Sequence, residues 1–465
     1  MAISSAGIGS GLDVGKIVEQ MVAAEKTPLK KLETKAEGIQ TQISTYGEIK
    51  SLTSKLGDIV SKLTRDSAWN GVNISSSNST ISGTMTGIAT PGTYNIRVTH
   101  LAQAQTTVVG GADADAGAVA LAKDETMGAS GKITLKMGDV EKELSISSSD
   151  TLTKIAAKVN EAGMGVQASV VTDVDGKERL MLRSKETGTD KAFTVEIDPA
   201  LSKLGQAPAQ AAQNAKVELN GMAVESSSNT FANTIPGLSF TVSEVTTNDA
   251  TLTVKADTEA MKKNIQEFVD AYNELNDLLT KSTKSVRTAD GKVDQSAQNS
   301  GAGTLQGDSA TVSLQNSLRM LTQGISGSKG SLTRLSDIGI QMQEGGKLSL
   351  DASKLDKALT NIDDLKGLFA NKADGLGQGG GIAVNFKNFT DKLLAFDGTL
   401  NTKSDSLESK LKSNTAEQDK VNKRADALET RLYQQYSALD VKMASLNALN
   451  SYVSQMVTTW NKSKD

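Results

Sequence analysis

The run from Leu407 to Trp460 constrains the fold of this chain more than any other stretch. Positions 411, 414, 418, 421, 425, 428, 432, 435 and 439 follow alternating three- and four-residue steps, filled by Leu411, Val421, Ala425, Leu428, Leu432 and Leu439. This is the heptad signature of a helix that buries one stripe against another helix. Asn414, Gln418 and Gln435 interrupt the stripe. After Leu439 the register shifts by four residues and continues through Met443, Leu446, Val453, Val457 and Trp460, which reads as a stutter, a local unwinding of a supercoil. No Gly or Pro breaks the run. A helix so long and one-sided is not stable alone in water, so it requires partner helices.

The first seventy residues supply a matching pattern. Asp13 is placed to cap a helix after Gly7-Ile8-Gly9-Ser10-Gly11, and Ile17, Met21, Leu29, Leu32, Ala36, Ile39, Ile43 and Tyr46 keep helical spacing. Pro28 removes a backbone donor and crowds the preceding turn, so a short helix, a kink or break and a long helix over about 29–63 are expected. An apolar stripe at each terminus predicts that the two ends pack together and that the middle of the chain is an insertion.

Over about 72–254 the period changes to two. Thr93 to Val98, Lys132 to Lys136 and Thr251 to Val254 alternate as half-buried strands do, with turns at Pro91-Gly92, Asn220-Gly221 and Pro236-Gly237. Leu152 to Asn160 reads as the one short helix there. The tract 206–213 (QAPAQAAQ) reads as a linker, so that a β-rich domain over 104–212 is inserted into another built from 71–103 and 213–257. Helix returns at Glu259, with Met261, Ile265, Phe268, Val269, Tyr272, Leu275 and Leu279 on one broad face. A polar loop over 282–303, a helix over about 308–321 and a hairpin across Gly345-Gly346 are expected next. Asp351 then caps a helix carrying Leu355, Leu359 and Leu365, and 375–381 is a glycine-rich loop. The resulting fold class is α+β multidomain: terminal coiled-coil helices (1–70 and 401–465) and a helical bundle domain (258–400) flank the inserted β-rich domains.

Fifty Lys and Arg against 54 Asp and Glu give a formal net charge of -4, which points away from nucleic acid and anionic membranes. The chain has no cysteine, so thiol catalysis, disulfides and thiolate metal sites are excluded. Aromatic residues make up 3%, a poor endowment for an enzyme cleft. The N-terminus lacks a basic region followed by an apolar run, and no 18-residue apolar stretch occurs, so a soluble protein without a cleaved signal peptide or membrane insertion is expected.

Chemistry is hard to find. The single histidine, His100, ends a strand and has no second ligand in motif register. Gly7 to Gly11 lacks the spacing and the Gly-Lys-Ser/Thr ending of a phosphate loop. Asp173-Val174-Asp175-Gly176 resembles the start of a calcium loop, but Ser184 stands where the closing Glu belongs, and a hairpin turn accounts for it. Asp363-Asp364 reads as a solvated pair on a helix or its cap. No catalytic, cofactor-binding or metal residues are assigned. The expected site is an interface instead, on Leu12, Ile17, Met21, Val22, Leu432, Leu439, Met443, Leu446, Val453, Val457 and Trp460, because a helix this long outruns one domain's core.

Several motifs then occur in order. Gly7-Ile8-Gly9-Ser10-Gly11-Leu12-Asp13 opens the chain, followed by Tyr94-Asn95-Ile96-Arg97-Val98 with Leu101-Ala102-Gln103-Ala104-Gln105. Ala212-Gln213-Asn214-Ala215, Ile235-Pro236-Gly237, Phe268-Val269-Asp270-Ala271-Tyr272-Asn273, Leu305-Gln306-Gly307-Asp308 and Gly346-Lys347-Leu348-Ser349-Leu350-Asp351 come later. Together they resemble the flagellar hook-associated protein 2, or filament cap, family of bacteria over nearly the whole chain, least over 104–212. The resemblance implies a non-enzymatic protein without cofactors, exported through the flagellar type III apparatus. It would form a homo-oligomeric ring at the distal, extracellular end of the filament, promote flagellin insertion there and prevent subunit loss. Flagellin, hook-filament junction proteins and an export chaperone are the implied partners. The competing readings are another extracellular axial protein or adhesin, and a carbohydrate hydrolase, for which no acid-base pair is visible.

Overall fold

The computed structural model describes residues 12–110, 121–286, 301–373 and 379–462. The expected loops at 7–11, within 287–300 and at 375–378 lie outside the described residues. The chain divides into two compact units, one of 1–69 with 261–465 and one of 70–260. The fold is α+β multidomain, as the periodicities require.

In the helical unit, α1 (Val14–Glu25) is followed by α2 (Thr27–Leu63). The Asp13 carboxylate accepts from the Lys16 N–H at 3.0 Å and caps α1. Pro28 occupies the first turn of α2, where its missing donor costs nothing. Helices α4 (Thr258–Thr283) and α5 (Ser309–Gln323) bury Phe268, Tyr272, Leu275, Leu314 and Leu318. The expected single helix after Asp351 is two, with Leu365 on the second: α6 (Ala352–Ala358) and α7 (Ile362–Ala370). The Asn361 side chain accepts from the Asp364 N–H at 3.2 Å and starts a new helix. Helix α8 (Ile382–Leu394) leads into α9 (Thr399–Lys462), one helix of 64 residues that begins eight positions before the expected start.

Aromatic rings concentrate in this unit's core. Phe268 meets Phe386 edge-on with centroids 5.3 Å apart, and Trp69 stacks on Phe369 at 5.5 Å. Such geometries suit the ring quadrupoles.

Among the described residues the central unit holds fifteen strands: β1 (Val72–Ser76), β2 (Ile81–Met85), β3 (Gly92–His100), β4 (Thr106–Val109), β5 (Gly131–Met137), β6 (Val140–Ile146), β7 (Val166–Thr172), β8 (Glu178–Ser184), β9 (Phe193–Ile197), β10 (Gln206–Gln210), β11 (Ala215–Leu219), β12 (Met222–Ser226), β13 (Thr230–Ile235), β14 (Leu238–Val242) and β15 (Ala250–Ala256). A sheet β1-β15-β3-β11-β12 faces a sheet β13-β14-β2 over a core of Ile96, Val98, Phe231, Phe240 and Leu252. A second core, including Leu135, Leu144, Ile155, Leu180 and Phe193, is enclosed by β10-β4-β8-β7, by β6-β5-β9 and by α3 (Leu152–Glu161).

The stretch expected to be a linker at 206–213 instead supplies β10, which pairs antiparallel with β4. Pro208 has no N–H to give a second neighbour, and β10 lies at the sheet edge, where that lack is tolerated. Turn chemistry explains the hairpins. Asn220 and Gly221 both adopt positive φ (48° and 81°) between β11 and β12, the geometry that matches strand twist. Gly237, at φ 74°, lies so close to the Ile88 carbonyl that any Cβ would collide with it. In the helical unit β16 (Ile340–Met342) and β17 (Leu348–Leu350) form the expected hairpin.

Phe386→Ala removes the ring shared by Phe268 and Tyr272 and should destabilise the helical unit by about 3–5 kcal/mol. Urea unfolding followed by Trp69 fluorescence in a Trp460→Phe background checks this; an unchanged midpoint would show that the cluster is not the core of that unit.

Candidate assembly surface

Helix α9 runs through three successive surroundings, set by which residues fall on its inner face. Its first third places Leu400 and Leu407 in the core, with α2 opposite. Asn414 is buried in the same third, and Val421 and Ala425 are buried in the middle third. From Arg424 to Tyr436 it packs on α1, where Val14, Val18 and Leu432 are buried and Val22, Leu428 and Tyr436 pack on them. Arg424 pairs with Glu25 at 3.3 Å, so α1 runs antiparallel to α9.

The start of α9 is fastened by one polar node. Asp308, the N-cap of α5, accepts from the Thr311 N–H (3.1 Å), the Thr311 hydroxyl (2.7 Å) and the Lys403 ammonium (3.0 Å), and also from the Tyr46 hydroxyl of α2. Four donors on three helices therefore converge on one carboxylate. Burial raises the Asp308 pKa, but the hydrogen bonds from Tyr46, Thr311 and Lys403 outweigh it and hold the group below the usual carboxylate range. Burial, with the bond to Asp308, pushes the Tyr46 phenol well above its ordinary value.

Beyond Tyr436 the helix changes character. Val441, Leu446, Leu449, Tyr452, Val453, Met456, Val457 and Trp460 are exposed, Leu446 at 56% and Trp460 at 67%. No charged residue occurs between Lys442 and Lys462. Because α9 is unbroken here, residues 439, 443, 446, 453, 457 and 460 share one stripe, with Leu449, Tyr452 and Met456 beside it. Exposed apolar faces of this extent are uncommon on monomeric proteins.

The interface residues expected from the sequence fall into two groups. Val22 and Leu432 join the α1–α9 seam, and Ile17 and Met443 are half-buried. Leu12, Met21, Leu439, Leu446, Val453, Val457 and Trp460 are exposed. The seam's main contacts, Val14 and Val18, lie outside the expected set, and Val14-Val18-Val22 is the four-residue repeat that marks them in the sequence. Leu449, Tyr452 and Met456 lie outside the heptad row and are exposed beside it.

His100 is exposed at the end of β3, and its Nδ1 lies 3.2 Å from the Thr99 hydroxyl. Asp173 and Asp175 sit in the turn between β7 and β8, where the Asp173 carboxylate accepts from the N–H groups of Asp175 and Lys177. Among the described residues no group of three metal-ligating side chains occurs, and no helix is long and apolar enough to cross a membrane.

Paired helical ends, β-rich units between them and an uncovered apolar stripe on the last helix are the build of a subunit that joins a larger assembly. Comparison with known proteins makes this specific. The family described as Flagellar hook-associated protein 2 matches with its N-terminal part over residues 10–105 and its C-terminal part over 212–448, and the Flagellin hook IN motif matches over 132–186. The flagellar hook-associated protein 2 of Escherichia coli strain K12 is 32% identical over 480 residues, covering 100% of both chains. That of Aeromonas caviae is 30% identical over 486 residues, again covering 100% of both. Among solved structures, the D1-D2-D3 domains of the Escherichia coli flagellar cap protein FliD align with TM-score 0.59 and 31% identity, covering 78% of this chain and 99% of that one. The chain belongs to the flagellar hook-associated protein 2 family.

A depressed carboxylate contributes stability that is present above its unfolded-state pKa, about 3.9, and is lost as pH falls through the lower folded value. Asp308→Asn should therefore lower the urea midpoint of the helical unit at pH 7, and the gap to the unaltered protein should close as pH falls below about 4. Trp69 fluorescence at a series of pH values measures it; a gap of constant size would mean that the charge on Asp308 is not what holds the node.

Proposed function

We propose that this protein is the structural cap at the distal end of a bacterial flagellar filament. It forms an oligomeric ring that promotes flagellin insertion and polymerisation and prevents loss of subunits. The observation that carries the reading is the charge-free apolar stripe over 443–460 of α9, in a chain that matches flagellar hook-associated protein 2 relatives over its full length. It acts outside the cell as a non-enzymatic protein and has flagellin, the hook-filament junction proteins and an export chaperone as partners.

In this reading the terminal segments 1–70 and 401–465 are legs, 258–400 is a helical domain, 71–103 with 213–257 is a β-rich domain, and 104–212 is an inserted head. The contact residues are Leu12, Ile17, Met21, Val22, Leu432, Leu439, Met443, Leu446, Val453, Val457 and Trp460. Repeated subunit insertion needs contacts that form and release. Many modest apolar contacts interrupted by polar groups do this better than a continuous leucine seam, because each unmatched polar group lowers affinity.

Leu439 and Leu446 are exposed in the isolated chain, so changing both to Ala should leave its thermal unfolding nearly unchanged. In the assembly each leucine that becomes buried should lose about 2–5 kcal/mol. Electron microscopy of cells carrying the double variant should then show short or missing filaments; filaments of full length would remove the leg assignment.

A further inference from the structure

The eight phenylalanines separate into three environments. Phe193, Phe231, Phe240, Phe268, Phe369 and Phe386 are buried. Phe389 lines a cleft of about 270 Å³ in the helical unit, and Phe396 is 97% exposed. The cleft lies between α5, α8 and α9 and is walled by Tyr46, Leu314, Phe389, Leu393 and Leu400, with Lys392 at its margin. It is mostly apolar, and an apolar cavity of roughly 150 Å³ is enough to hold a benzene ring. The cleft therefore has room for a phenyl side chain.

Phe396 is held outward by its backbone. It sits in the turn between α8 and α9, where the Gly398 N–H donates to the Ala395 carbonyl at 2.8 Å. The Asn401 side-chain amide donates to the carbonyls of Leu394 (3.1 Å) and Ala395 (2.7 Å). The ring on this fixed turn stands exposed. It is preorganised for a partner.

We propose that Phe396 is the plug of a self-association contact and enters the cleft of a second copy of this chain. Phe396 lies four residues after Lys392 and three before Thr399, both of which line the cleft, so plug and socket occupy the same end of the same helices. Two copies then exchange rings about a two-fold axis, each giving Phe396 and receiving its partner's. Charge supports the pairing. Asp397 follows the plug and Lys392 flanks the socket; both are exposed, and neither has an ion-pair partner among the described residues. The exchange brings each aspartate to the other copy's lysine. The contact does not use the apolar stripe of α9 and does not depend on the filament-cap reading.

The chain contains no cysteine, which permits a direct test on the full-length protein. One pool carries Asp397→Cys and another Lys392→Cys, and the two are mixed under mild oxidation. Mass spectrometry then measures the interchain disulfide between positions 397 and 392, which cannot form within one chain because each chain has one thiol. Its yield should exceed at least tenfold that of a control mixture of Asp397→Cys with Lys177→Cys, a lysine in the β7–β8 turn. Adding Phe396→Ser to both pools should bring it down to the control. Adding Leu439→Ala and Leu446→Ala instead should leave it unchanged. A yield equal to the control, a yield indifferent to Phe396→Ser, or a yield lost with the leucine changes would each overturn the proposal.

Discussion

The packing of α9 along α2 and then α1 is the interaction on which the helical unit depends. These helices come from opposite ends of the chain, so the seam joins residues separated by some 350 to 420 positions. For a flexible chain such a closure costs roughly 5 kcal/mol from loop length alone. Here the intervening chain is not flexible. Within the central unit β1 and β15 are paired neighbours, with Val72 opposite Ala256 and the Asp257 N–H bonded to the Gly71 carbonyl. Entry and exit strands thus lie side by side, so folding of the central unit brings Gly71 and Asp257 together in space. The seam then closes a much shorter effective loop.

Polar groups within this packing give it register. Thr53 of α2 is fully buried, its hydroxyl satisfied by the Ile49 carbonyl at 2.7 Å. Asn414 of α9 is buried, with its Oδ1 accepting from Gln418 at 2.7 Å and its Nδ2 unpartnered. A buried amide left half-satisfied is destabilising, and the same feature disfavours any sliding that would place it against an apolar wall. The Asp308 node adds a second fixed point near the start of α9. Register set at 403 and 414 fixes where α1 meets the helix and, through helical continuity, which face the last twenty residues present.

Much of this arrangement was legible because the responsible signals are local. Pro28 marks the step between α1 and α2, and Asp13, Asp308 and Asp351 cap the helices they precede. Alternation at Ile96 and Val98 marks a strand with one buried face. What was not legible depends on distant partners. Residues 206–210 have the composition of a linker and become a strand only because β4 offers an edge. The seam uses Val14 and Val18 instead of Ile17 and Met21 because its face is chosen by the position of α9, and either face would serve as an amphipathic helix. Leu365 passed as a continuation of the preceding helix because leucine spacing persists across Asn361, whose capping role shows only once the turn at Thr360 is seen.

The contrast between the two parts of α9 bears on how one helix serves both folding and assembly. Its earlier part is rich in Lys, Glu and Asp on the outside, so once its stripe is covered it has no further demand for partners. Its last part carries no charge between Lys442 and Lys462, so solvent stabilises it poorly and side-chain packing against its own chain does not. An isolated helix of twenty residues is marginal in water, and this one is extended from a segment already held in place, which removes the cost of nucleation. The stripe is therefore presented in a helical state without having been buried. Ordering cost is largely met before any partner arrives, and burial of Leu446, Val453 and Trp460 remains available as binding free energy. A stripe that had folded back onto its own unit would have used that free energy for stability and left none for assembly.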